Sequence, residues 1–250
     1  MSFSRNVHED GRDRIHSRVG VKTVLTHSKY LGLPVVFGKS KKEVFGTVIN
    51  RVWKKIKGWK EKFLSRAGKE VLIKSVAQAI PSYIMSCYKL PESICQEIEA
   101  MVAKFWWGSK EGERKVHWLS WNKMARAKGV GGMGFQGISE FNTSLLGKQY
   151  WRMLTKEDSL LGHIFKSRYY PRVSIEDSST GFNLSYAWRS ILSARDLVQK
   201  GSGWRIRTGE KVTVGKDRWI PNGVGCKVGV LLNDQGVGMK VSEMINHDGG

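Results

Sequence analysis

Cysteine, acidic side chains and long apolar runs are all scarce in this sequence, and each shortage closes off a class of protein. The three cysteines, Cys87, Cys95 and Cys226, are odd in number, far apart and without a C-x-x-C pair. Neither a disulfide framework nor a cysteine zinc site fits them, and a reducing compartment is the default. Asp and Glu number 22 against 42 Lys and Arg, a formal charge of +20. The eight aspartates stand singly, at positions 10, 13, 158, 177, 196, 217, 234 and 248. A polymerase or nuclease that holds two metal ions needs carboxylates adjacent or nearly so, and the pairs Glu157-Asp158 and Glu176-Asp177 lie in turn-like sequence that reads as solvated. The six histidines show no short ligand spacing to one another or to a cysteine, and no serine sits in a G-x-S-x-G elbow. No catalytic residue, metal site or cofactor is expected.

The most apolar stretch, Val71 to Tyr88, is broken by Lys74, Gln78 and Pro81, short of the roughly 18 uncharged residues a membrane span requires, so no membrane partner is expected. Arg5, Arg12, Arg14 and Arg18 with nearby serines suggest a transit peptide, but Glu9, Asp10 and Asp13 spoil its acid-poor pattern. Nucleus and organelle both remain open.

What is present is enough apolar sequence, 40%, to bury a core, beneath a charge excess that points to a polyanionic partner. Residues 1–27 have no sustained hydrophobic period and read as frayed or extended. Tyr30 to Phe37 is a short apolar run containing Gly32 and Pro34, an edge strand or strand-turn. From Lys41 the period becomes helical. Phe45, Val48, Ile49, Val52, Trp53, Ile56 and Trp59 form one stripe; a second helix follows an N-cap at Ser65 and runs to Pro81; a third opens at Pro91 with Glu92 early and Lys104 late, as the helix dipole favours. After a turn-rich connector and a short alternating run at Lys115 to Leu119, helical patterns return at Phe141 to Leu154, Leu160 to Tyr170 and Ser185 to Lys200, the last capped by Gly201. Trp204 and Ile206, then Val212 and Val214, alternate around a Thr208-Gly209 turn and predict a hairpin. The expected fold is mainly α with small α+β parts: a helical bundle over 41–107 and an α+β connector over 108–250, preceded by a separate segment, 1–40.

The strongest chemical signal lies between Lys39 and Lys74. Twelve cations, Lys39, Lys41, Lys42, Arg51, Lys54, Lys55, Lys57, Lys60, Lys62, Arg66, Lys69 and Lys74, face only Glu43, Glu61 and Glu70. Two amphipathic helices bury their apolar sides, so this charge is displaced outward and makes a phosphate-binding surface. A merely solvated charged face is the alternative. Trp53 and Trp59 interleave with the lysines and suggest base stacking, but their spacing assigns them to the apolar stripe, and core packing is expected of most of the ten tryptophans. Gly129 to Gly134 matches G-x-G-x-x-G literally, but it follows polar sequence where a nucleotide loop needs a strand, and Gly209 to Lys216 has the wrong spacing for a phosphate loop.

Several motifs, in order, resemble one family: Tyr30-Leu31-Gly32-Leu33-Pro34, Leu64-Ser65-Arg66-Ala67-Gly68-Lys69, Ala79-Ile80-Pro81-Ser82-Tyr83, Phe105-Trp106-Trp107-Gly108, Gly131-Gly132-Met133-Gly134-Phe135, Tyr186-Ala187-Trp188-Arg189-Ser190 and Asp217-Arg218-Trp219-Ile220-Pro221. Together they are similar to the reverse transcriptases of plant non-LTR retrotransposons of the long interspersed type. The resemblance implies a palm-edge remnant at 1–40, a thumb-like region at 41–107 and, at 108–250, a connector preceding the family's zinc-binding segment. It implies primer-grip-like contacts at Tyr30, Leu31 and Gly32, backbone contacts at the twelve cations, and no catalytic role, since the family's catalytic Asp pair is lacking. The implied partners are RNA or an RNA-DNA hybrid, with a palm-bearing reverse transcriptase polypeptide as an alternative. A retroelement pseudogene fragment without selected function is a third reading.

Overall fold

The computed structural model describes residues 8–20, 29–30, 33–34, 41–60, 64–108, 116–179, 184–214 and 239–245. Among these residues helices dominate. By chain contacts they fall into two compact units, one of residues 1–146 with 182–190, the other of 147–181 with 191–250.

In the first unit, α1 (Glu9–Val19) corrects the expectation of a frayed start. The helix buries no residue, so it leaves no apolar period to read. Its local signals are a first turn with Glu9 and Asp10, a last turn with His16 and Arg18, and a left-handed Gly20 whose amide donates to the His16 carbonyl at 3.0 Å. The two-residue strands β1 (Lys29–Tyr30) and β2 (Leu33–Pro34) pair antiparallel, Lys29 opposite Pro34 and Tyr30 opposite Leu33, in keeping with the expected strand-turn.

The helical core is built on α2 (Lys41–Lys60), α3 (Arg66–Leu72) and α5 (Glu92–Trp107). Phe45, Val48, Val52 and Ile56 recur at three- and four-residue steps along α2 and are buried in one cluster with Ile94, Ile98, Val102 and Phe105 of α5; each such side chain is worth about 1.5–3 kcal/mol when fully buried. Ser65 caps α3 as expected, its hydroxyl accepting from the Gly68 amide at 3.2 Å. The chain then widens into a π-turn, Ile73–Ala77, where the Gln78 amide donates five residues back to Ile73 at 3.0 Å. Buried Gln78 donates from Nε2 to the Gln136 carbonyl at 2.9 Å. Pro81 precedes the short α4 (Ser82–Met85). α5 begins after Pro91 and ends at Gly108, where φ of 72° suits glycine.

α6 (Trp121–Met124) leads into the glycine cluster, a 3-10 turn at Lys128–Val130 with no strand before it among the described residues. A Cβ on Gly132 would lie 2.0 Å from the Arg126 carbonyl oxygen, so the cluster serves a tight backbone crossing. α7 (Ile138–Thr155) carries Asn142, fully buried, whose Oδ1 accepts from the Leu90 amide at 2.7 Å while Nδ2 donates to the carbonyls of Met85 (2.7 Å) and Tyr88 (2.9 Å). One side chain thus satisfies three backbone groups of the α4–α5 loop, as buried polar atoms require.

In the second unit, α8 (Leu160–Tyr169) is capped by Ser159. The helix expected over 185–200, whose residues up to Ser190 belong to the first unit, breaks at Ser193 and Ala194 into α9 (Tyr186–Leu192) and α10 (Arg195–Gly201), with Ser202 and not Gly201 as the C-cap. The break brings Arg195 to the 175–178 turn, where Nη2 donates to the Ser178 hydroxyl at 2.7 Å and to the Ser178 carbonyl.

The α+β connector is not supported. Between 108 and 250 the described residues hold helices, turns and one isolated bridge, Thr213 with Lys240. The expected hairpin fails for a specific reason: Val212 and Val214 pair with 239–241, the Val214 amide donating to Met239 and the Val241 amide to Val212, both at 2.9 Å, so Trp204 and Ile206 are not their partners. The alternation marked a buried edge, since Val212, Val214 and Val241 form a small cluster, but its partner lay far along the chain. Residues 215–238 lie outside the described residues.

Candidate nucleic-acid interface

The solvent side of α2 is cationic. With the stripe from Phe45 to Ile56 turned inward, the 100° step of a helix carries Lys54 and Lys57 to the opposite side and Arg51 and Lys55 to its flank, and all four are exposed. None of them pairs with a carboxylate among the described residues. Lys41 and Lys42 begin the helix and Lys60 ends it. Lys39, Lys62, Leu31 and Gly32 lie outside the described residues, and Tyr30 stands in β1 opposite Leu33.

The α3 cations are employed differently. Arg66 donates from Nη1 to the Trp106 carbonyl at 3.1 Å, with its guanidinium 5.3 Å and 5.6 Å from the ring centres of Trp106 and Trp107. Lys69 places its ammonium 5.5 Å from the Phe105 ring centre. Both therefore sit at the C-terminal turn of α5, where a cation opposes the helix dipole. Lys74 reaches Glu70 Oε1 at 2.7 Å and the Met133 carbonyl at 2.8 Å; Lys128 reaches the same Glu70 oxygen at 2.8 Å. Hydrogen bonds from Lys128 and then Lys74 pull the Glu70 carboxyl down to about 2. This clasp ties the start of the π-turn to the glycine cluster. Of the twelve predicted cations, the structure thus leaves Arg51, Lys54, Lys55 and Lys57 exposed along α2 and commits Arg66, Lys69 and Lys74 to internal contacts.

The tryptophans divide as well. Trp106 and Trp188 are buried, Trp59 packs tilted on Phe105 at 5.6 Å, and Trp121 stacks on Phe135 at 5.5 Å. Trp53 corrects its assignment to the stripe: it is 44% exposed, with the Lys57 ammonium 4.9 Å from its ring centre. The helix turns about 100° per residue, and Val52, one position earlier, takes the inward place.

On the α5–α7 side of this unit is a groove lined by Glu92, Glu99, Glu140, Gln96, Ser139 and Arg126. Burial raises the Glu99 carboxyl above its ordinary range, although the Ile138 amide donates to it at 2.7 Å. Three glutamates make this groove unfavourable to a polyanion. Among the described residues no three His, Cys, Asp or Glu side chains gather closely enough to hold a metal ion, and no helix is long and apolar enough to cross a membrane.

The chain is 39% identical over 143 residues to "Uncharacterized mitochondrial protein AtMg00310" of Arabidopsis thaliana, a match that takes in 57% of the chain and 93% of that protein. The chain belongs to the family of that mitochondrial protein. A longer relative of this family member, "Putative ribonuclease H protein At1g65750" of the same plant, is 33% identical over 192 residues, which are 75% of the chain and 31% of the relative. The chain therefore spans less than a third of that longer protein. No protein-family model matches it. Membership in the mitochondrial protein's family carries no named activity, so the function rests on the geometry of α2.

Proposed function

We propose that the chain is a retroelement-derived protein of the reverse-transcriptase type that binds RNA or an RNA-DNA hybrid, without sequence preference, through a thumb-like helical region. The observation that carries this reading is the outward face of α2, where Arg51, Lys54, Lys55 and Lys57 are exposed together with no acid paired to them among the described residues. Such a face reads the polymer's charge and spacing and leaves its bases unread. Two further features support it: the motif resemblance to plant non-LTR reverse transcriptases, and the ribonuclease H name of the longer relative. In this reading Tyr30, Leu31 and Gly32 are primer-grip-like positions, and the cations of α2, with Lys39 and Lys62 flanking it in sequence, line the backbone path.

Binding then proceeds by exchange of condensed counterions for ammonium and guanidinium groups. If about six cations each neutralise one phosphate, the logarithm of affinity falls with the logarithm of salt at a slope near −5, a loss of roughly a thousandfold over a fourfold rise in salt. Filter binding of a blunt RNA-DNA hybrid across that range tests it. A slope near zero removes the proposal.

A second reading, in which the chain supplies the thumb of a reverse transcriptase completed by a palm-bearing polypeptide, is favoured by the match to one segment of a much longer protein. Primer extension separates the two: incorporation only when a palm-bearing partner is added supports the split enzyme, and none in either case leaves binding alone.

A further inference from the structure

Trp53 is the one large apolar side chain among those described in α2 that is more than a third exposed, at 44%. Leaving an indole in water forgoes burial energy that Phe45, Val48, Val52 and Ile56 on the same helix all gain. Its neighbours at three residues before and four residues after, Asn50 and Lys57, are exposed on the same side, and Lys54, one residue on, is exposed beside it. The Lys57 ammonium, from one turn later in the helix, lies over the ring 4.9 Å from its centre in a cation–π contact. The result is a flat, exposed aromatic surface with two cations within about one helical turn on its C-terminal side.

From this arrangement we infer that Trp53 is a stacking platform for an unpaired base, so that the α2 face holds single-stranded nucleic acid in addition to duplex backbone. The inference rests on the proposed binding of nucleic acid by α2 and names the polymer state that the face distinguishes. A base presents a π-face that an indole matches whatever its identity, while Lys54 and Lys57 meet the flanking phosphates. In a duplex the bases are already stacked, and only the phosphates remain for the face to bind. An acidic protein would meet the lysines but has no need of the exposed ring, which is why a polynucleotide is the occupant argued for.

The test compares a mixed-sequence single-stranded RNA, the same RNA with consecutive abasic positions, and a blunt RNA-DNA hybrid of equal length, each against the full chain and its W53A and W53F variants. Stacking of one base is worth about 1–3 kcal/mol, or roughly 5- to 150-fold in affinity. W53A is expected to lose that much on the intact single strand, to change hybrid and abasic binding by less than about twofold, and to leave the salt slopes intact; W53F is expected to recover most of the loss. Equal losses on all three ligands, or no loss on the single strand while the unaltered chain binds it, overturn the stacking role and leave the charge reading standing. If the unaltered chain shows no salt-dependent binding to any of the three, the α2 reading itself fails and the stacking role falls with it. Because Trp53 is outside the buried cluster, both variants are expected to unfold at the midpoint of the unaltered chain, so lost affinity is not lost fold.

Discussion

Replacing Arg51, Lys54, Lys55 and Lys57 together by glutamine removes the outward charge of α2 and touches none of its buried stripe. Glutamine has nearly the helix propensity of lysine and arginine, so the helix stays formed. If these four are among about six phosphate contacts, each lost contact takes about 0.9 from the salt slope. The slope then falls from near −5 to about −1.5, and a fourfold rise in salt weakens the variant by only about eightfold where it weakens the unaltered chain roughly a thousandfold. Fluorescence anisotropy with a labelled RNA-DNA hybrid at four salt concentrations measures both slopes, and urea unfolding confirms equal stability. A variant slope within about one unit of the unaltered value would refute the reasoning, because the binding charge would then lie elsewhere on the molecule. The contrast with α3 sharpens the test. Arg66 and Lys74 are held by the Trp106 and Met133 carbonyls, so their glutamine variants are expected to lower stability and leave the slope nearly unchanged.

Two predictions concern the frame that presents this face. Asn142→Leu leaves the Leu90 amide and the Met85 and Tyr88 carbonyls without their partner, a loss of about 3 kcal/mol expected in urea unfolding; a loss below about 1 kcal/mol would mean the loop re-pairs elsewhere. Glu70, held at about 2 against an ordinary 4.5, is ionised more readily in the folded than in the unfolded chain. Its contribution to stability is therefore fully present above 4.5 and disappears as pH falls through 2, and the gap in stability between the unaltered chain and Glu70→Gln is expected to close over that window, as followed by acid unfolding; a gap that persists at the acid end would show that the clasp does not depend on the carboxylate's charge.

The elements legible in the sequence are those that bury a stripe. α2 and α5 repeat large apolar groups at three- and four-residue steps, and Ser65 and Gly108 are locally determined caps, so the residues themselves carry the signal. α1 buries nothing and left no period. The π-turn at Ile73–Ala77 and the break at Ser193 and Ala194 are set by remote partners, the Gln136 carbonyl for Gln78 and Ser178 for Arg195, which no local window contains. Trp53 shows the finest limit. Ile49 and Trp53 form a four-residue row beside that of Val48 and Val52, and only packing on α5 decides which row turns inward. The candidate site was legible to the same degree: the sequence concentrates charge on two helices, but tertiary contacts separate the cations that face solvent from those that hold α5 and the glycine cluster.

That separation bears on how the proposed binding face of α2 is told from a merely solvated one. Arg51 with Lys54, Arg51 with Lys55, and Lys54 with Lys57 are like charges at three- and four-residue spacing, and each such pair destabilises a helix by about 0.2–0.5 kcal/mol. The free chain thus carries about 1 kcal/mol of self-repulsion on a helix held by its buried side. Added salt screens that repulsion and should firm the free fold, whereas the same salt weakens a bound complex by returning counterions to the phosphates. A face that only meets water shows the first response alone. The opposed signs, stability rising and affinity falling along one salt axis, are what the proposed polyanion-binding surface is expected to produce, both from the same exposed groups of α2.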